Sequence, residues 1–170
     1  MDSFNPQAVI AIFQDTITNH YFDMQGRVRR KTFWYFVLAC VVVSIVAAII
    51  GSILHTSLLG AVVGLGLLLP QAGMGARRLQ DIGRPGTLVW ALIIPQLIFQ
   101  IVALMTAITG PFGALGFLAF YFTIGWIVNL VAVIALIAMI YFWVQPGTVG
   151  PNQYGEDPKG GTAPAAPATA

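Results

Sequence analysis

From Thr87 to Val144 the chain carries no charged residue. As one helix, rising ~1.5 Å per residue, this run would far exceed the ~30 Å hydrocarbon core of a bilayer. It must therefore fold back on itself within lipid. Thr109-Gly110-Pro111 supplies the break, with Gly113 and Gly116 close behind. The pattern predicts one helix over 87–108, kinked at Pro95, and another over 118–144, with Phe112 to Phe117 as an interfacial elbow. Tyr141, Phe142 and Trp143 would close the second helix as an aromatic belt.

The N-terminal half repeats the arrangement. Phe33 to Leu54 is uncharged and opens with Phe33, Trp34, Tyr35 and Phe36, directly after Gly26-Arg27-Val28-Arg29-Arg30-Lys31. Aromatics at headgroup level beside cations mark an entry into the membrane. His55-Thr56-Ser57 makes a polar turn, and a second helix returns over 58–75. Charged residues form only 8% of the chain, against roughly a quarter in soluble domains, which excludes a water-soluble globule. The expected fold is an all-α membrane protein with four transmembrane helices arranged as two hairpins, preceded by a short amphipathic helix. Its parts are an N-terminal segment (1–32), a membrane domain (33–145) and a tail (146–170) that is turn-rich and then disordered from about Gly160.

The amphipathic helix runs from Pro6 to Tyr21, with Val9, Ile12, Phe13 and Ile17 on one side and Gln7, Gln14, Asp15 and Thr18 on the other. It is too short and polar to span, and its polar face lacks Lys and Arg, so it lies either on the membrane surface or on the bundle. The chain before Phe33 lacks the ordered regions of a signal peptide, so the first membrane helix is expected to be an uncleaved anchor. Gly60-xxx-Gly64 and Ala47-xxx-Gly51 have the small-residue spacing that lets helices approach closely, within the first hairpin or between two copies.

All eight Lys/Arg fall in the N-terminal segment, in Arg77–Arg84 or in the tail, and neither short turn holds one. Four passes with both termini in the cytoplasm satisfy the positive-inside rule at every connection. Within the central island, Gly83 suits a helix C-cap and Pro85 prevents continuation. Arg77 and Asp81 are four apart and can pair, which leaves Arg78 and Arg84 for a phosphate or anionic lipid, joined by Arg27, Arg29 and Arg30. The alternative is a topology anchor with internal salt bridges.

These residues also carry a resemblance. Gly26-Arg27-x-Arg29-Arg30-Lys31-x-Phe33-Trp34-x-Phe36, then Arg77-Arg78-Leu79-x-Asp81-x-Gly83-Arg84, then Gly147-x-x-Gly150-x-Asn152-x-Tyr154-Gly155-x-x-Pro158 resemble three signatures of the DUF805 family of small bacterial inner-membrane proteins. The resemblance covers about residues 13–159 and makes Asp81, Gly83, Asn152 and Tyr154 structural motif positions. Members often have His at the position of Gln80, Ser at Pro85 and Trp at Thr87. The family implies a four-helix inner-membrane protein and no particular activity.

Within the spans, Gln96 and Gln100 share a face of the third helix, and Asn129 lies near the middle of the fourth. These amides either hydrogen-bond between helices or line a polar path. No Asp, Glu, Lys, Arg or His lies inside the uncharged runs, which disfavours ion-coupled transport. Cys40, the single cysteine, reads as a buried hydrophobe. His20 and His55 would face opposite sides of the membrane, and no metal, nucleophile or phosphate-binding motif occurs; Gly64-Leu65-Gly66 stops short of a dinucleotide fingerprint. The expected role is non-enzymatic, interaction or structural, without cofactor or nucleic acid. Its expected partners are membrane lipids, anionic ones included, and a protein partner or second copies of the chain. The rival is a small oligomeric channel or facilitator.

Overall fold

The computed structural model describes residues 4–160; the disorder expected after Gly160 lies outside the described residues. The first helix, α1 (Pro6–Asn19), starts where Asn5 caps the backbone N–H groups of Gln7 and Ala8 and Pro6 presets the first turn. Of the two placements open to it, the structure has α1 packed on the bundle. Phe13 stacks on Phe36 at 6.1 Å and Phe4 meets the edge of Tyr35 at 5.8 Å. Its opposite face leaves Ile10 outward.

Helix α2 (Arg30–Ile53) and α3 (Leu58–Asp81) form the first hairpin. A turn at Leu54–Ser57 joins them, with His55 in the left-handed region at φ 53°. Helix α3 runs on past the expected end at Gly75 to Asp81, about 36 Å long at 1.5 Å per residue. Arg77 and Arg78 thus lie on the same helix, the one that the Gly83 cap closes. From Ala72 to Asp81 every residue of α3 is buried, because α1, the segment before α2 and the tail surround this end.

A 3-10 turn (Gly86–Val89) leads into α4 (Trp90–Thr109), which contains Pro95. Gly110 reverses the chain at φ 59°. Then α5 (Pro111–Phe120), a π-helical turn (Tyr121–Gly125) and α6 (Trp126–Val144) continue one another. The expected elbow at 112–117 is therefore helix. Pro at its first position favours the start there, and the break falls at Gly110, within the Thr109-Gly110-Pro111 stretch expected to supply it. Phe99 of α4 meets Phe120 edge-on at 5.9 Å and holds the second hairpin.

Among the described residues, four helical stretches are long and apolar enough to cross a membrane: Arg30–Ile53, Leu58–Asp81, Gly86–Thr109 and Pro111–Val144. Helix α3 lies between α2 and α4, and α4 packs in turn on α6. The outward faces are aliphatic, with Val42, Ile49, Ile101, Ile134 and Ile137 exposed as a lipid-facing surface requires. The small-residue seam divides between partners. Ala47 and Gly51 face inward on α2, whereas Gly64 lies under the Gln100 side chain of α4. Close approach at Gly64 therefore serves the contact between hairpins.

Candidate functional site

The last two turns of α3 organise everything at the Asp81 end of the bundle. Helix α3 ends in a Schellman motif: Arg84 N–H donates to Leu79 C=O at 2.9 Å and Gly83 N–H to Gln80 C=O at 3.1 Å. Gly83 holds φ 75°, which a residue with a Cβ adopts at a cost. The cap expected there is present. It leaves the Asp81 carboxylate at the helix end, 4% exposed, where two guanidinium groups reach it. Arg27 donates from Nε to Oδ1 at 3.1 Å, and Arg78 donates from Nη1 to Oδ2.

This pairing corrects two expectations. Asp81 does not pair with Arg77, and Arg78 is not free at headgroup depth but completely buried. Adjacent helical positions differ by ~100°, so Arg78 points at the exit of α6, where its Nε donates to Trp143 C=O at 3.1 Å and its Nη2 to Gln145 C=O. Arg77 turns the other way, toward Asp23 at 3.7 Å and the Met74 sulfur at 3.1 Å.

The tail closes the cluster. Thr148 donates its N–H and hydroxyl to Asp81 C=O at 2.9 and 3.1 Å. Arg27 donates to the carbonyls of Thr148 and Gly150 at 2.6 Å each and to that of Gly155 at 3.3 Å. Asn152 bonds Gln80 C=O at 3.0 Å and the Thr148 hydroxyl at 2.9 Å, and its side-chain oxygen accepts from Tyr154 N–H at 2.8 Å. The Gln80 amide donates to Met24 C=O at 2.9 Å. Outside this tail network, Trp143 is no belt residue: it packs on Phe33 at 4.8 Å and donates from its indole to Gly75 C=O at 3.2 Å. Of the three expected belt aromatics, Tyr141 alone is exposed.

Three of the six candidate arginines remain at the surface. Arg29 donates to Pro158 C=O, Arg30 to Val144 C=O at 3.1 Å, and Arg84 lies 5.4 Å over the Phe142 ring. Each is exposed and anchored along its stem or by one donor, which leaves guanidinium N–H groups facing outward.

The intramembrane amides separate. Gln96 donates to Gln71 of α3 at 3.2 Å, an interhelical bond whose partner the sequence reading missed. Gln100 covers Gly64, and Asn129 is exposed on the outer face of α6. The three do not line one path within a single copy. Gln71 stood within the expected second helix, but nothing in its spacing separated it from an ordinary helix-end residue.

The residues that converge on Asp81 come from all three motifs, and comparison with known proteins agrees. A family model described as "Protein of unknown function (DUF805)" matches residues 21–156. The chain is similar to inner membrane protein YhaI of Escherichia coli strain K12, 31% identical over 86% of this chain and 95% of that protein. It is also similar to inner membrane protein YhaH of the same strain, 28% identical over 84% of this chain and 93% of that protein. No solved structure matches it.

Proposed function

We propose a role for this chain from the premise that it belongs to the DUF805 family and is a multi-pass inner-membrane protein. It is a non-enzymatic interaction protein whose Asp81 end faces the cytoplasm, with both termini on that side. There it presents Arg29, Arg30 and Arg84 to anionic lipid or to an acidic partner. The observation that carries the reading is how the network uses its polar groups. Arg27, Arg78 and Asp81 are buried and occupied by one another and by backbone carbonyls, as a scaffold requires and a proton-transfer site does not. What stays outward is guanidinium, at the boundary where positive charge gathers on the cytoplasmic side.

The test is the triple variant Arg29→Ala, Arg30→Ala and Arg84→Ala, purified in native-lipid nanodiscs beside the parent protein. Mass spectrometry of co-purifying lipids and proteins is expected to lose the anionic lipids or the acidic partner enriched with the parent. An unchanged profile, or reproducible turnover by the purified protein, overturns the reading. Orientation is checked separately, with membrane-impermeant labelling of cysteines placed at Ser57 and at Gln153.

One observation favours the rival, an oligomeric facilitator. Asn129 exposes an amide on a face that otherwise meets lipid, where a second copy could satisfy it. If the parent is monomeric in nanodiscs, this rival fails.

A further inference from the structure

Between α2 on one side and α4 and α6 on the other runs a groove of about 540 Å³, floored by α3. Such a volume falls within the roughly 300–1,000 Å³ of small-molecule sites. At the Asp81 end, Phe33 and Trp143 meet at 4.8 Å and close it. Along its side the rim residues Val41 and Ile45 are exposed, so it opens toward the surrounding bilayer. An occupant must therefore arrive from within the membrane, independently of the cationic surface discussed above.

The walls are apolar and aromatic, with Phe36 beside Phe33 and Trp143. The floor is not. Gln71 and Gln96 line the groove beside Cys40 and share a single bond between them at 3.2 Å. Two primary amides carry four N–H donors, so that pairing leaves donors facing the groove. Unsatisfied amides at membrane depth are costly, which makes a ligand acceptor at this height favourable.

The lining selects the ligand class. It holds no charged residue to seat a phospholipid headgroup, and a plain acyl chain offers no acceptor for the two amides. A flat ring bearing carbonyl groups on a hydrocarbon chain does both: it stacks on aromatic walls and accepts from amides. We propose that this groove binds an isoprenoid quinone, its ring between Phe36 and Trp143, a ring carbonyl accepting from the Gln71–Gln96 pair, and its chain leaving past Val41 and Ile45.

The test uses protein in lipid nanodiscs with Trp34, Trp90 and Trp126 changed to phenylalanine, so that Trp143 reports alone. Decylubiquinone is the probe, and decylbenzene, with the same chain and no carbonyl, is the control. Saturable quenching at one quinone per protein is expected, with half-saturation raised about tenfold in Gln71→Leu/Gln96→Leu, the loss of one or two hydrogen bonds. Ser44→Phe at the rim, which removes no interhelical bond, is expected to abolish saturation even if the double variant fails to fold. Quenching that never saturates, or that Ser44→Phe leaves unchanged, overturns the proposal. So does decylbenzene competing as well as the quinone, which would mark a groove for hydrocarbon alone. Rapid dimer cross-linking through a cysteine at Val41, unaffected by quinone, would assign the groove to a second copy instead.

Discussion

Arg27 and Asp81 stand fifty-four positions apart in the chain, yet the guanidinium Nε donates to the carboxylate at 3.1 Å with both side chains almost wholly buried. With Arg78 on the other oxygen, one carboxylate holds two buried cations; the remaining donors of Arg27 go to carbonyls of the tail and those of Arg78 to carbonyls at the end of α6. Removing the carboxylate leaves both cations uncompensated in a dry site. Asp81→Ala is expected to cost about 3–5 kcal/mol and to lower the melting temperature in detergent markedly. Asp23→Ala, which removes one half-exposed carboxylate 3.7 Å from a single buried cation, Arg77, is expected to cost less. Equal melting temperatures for the two variants would refute this account of Asp81.

Gly147 abuts the same carboxylate. A Cβ placed there would collide with the Asp81 side-chain oxygens, whereas a Cβ at Gly60 would meet open space. Gly147→Ala must therefore displace Asp81 or the tail, and is expected to destabilise by about 1–3 kcal/mol, while Gly60→Ala, inside α3, is neutral or stabilising. Thermal melts of the two alanine variants check the contrast.

Trp143 predicts a spectroscopic outcome. Its ring is buried against Phe33 and its indole N–H bonds Gly75 C=O. Trp143→Phe keeps most of the packing and loses that bond, for about 0.5–1.5 kcal/mol. Trp126, half exposed on α6, is expected to change stability little when replaced by phenylalanine. Brominated phospholipid should quench Trp126 and spare Trp143, measured in single-tryptophan variants.

The tail carries a pH dependence. The Asp157 carboxylate accepts from Lys159 N–H at 2.8 Å and Gly150 N–H at 3.0 Å, and these bonds hold its pKa below the ordinary value. A depressed folded-state pKa stabilises the turn above the unfolded value of about 3.9, and that contribution disappears as pH falls through the folded value. Hydrogen exchange at Gly150 is expected to accelerate, relative to its intrinsic rate, as pH drops below about 4, and Asp157→Asn should remove the dependence. An identical pH profile in Asp157→Asn would show that the carboxylate is not responsible.

Much of this was legible in the residues themselves. The four spans follow from uncharged apolar runs bounded by cations, turns and Gly-Pro breaks. Those signals are local, and the bilayer imposes one length on them all. The Gly83 cap was legible for the same reason, since a glycine after a helical run followed by Pro85 has few other uses. Even the interhelical amide was half visible. Gln96 stood out in an apolar run, although its partner Gln71 did not.

The pairings were not legible. Helical spacing offered Arg77 for Asp81, and the structure instead uses Arg78 one residue on and Arg27 from another segment. Likewise the aromatics at the end of α6 suggested a belt, but Trp143 turned inward because Phe33 and Gly75 stood ready on α2 and α3. The sequence by itself determined how many times the chain crosses the membrane and where its charges must stay, since hydration and bilayer thickness act on each segment alone. The tertiary structure decided which cations became scaffold and which remained outward. That choice depends on where a carboxylate and unpaired carbonyls from distant segments meet, and no local pattern encodes it.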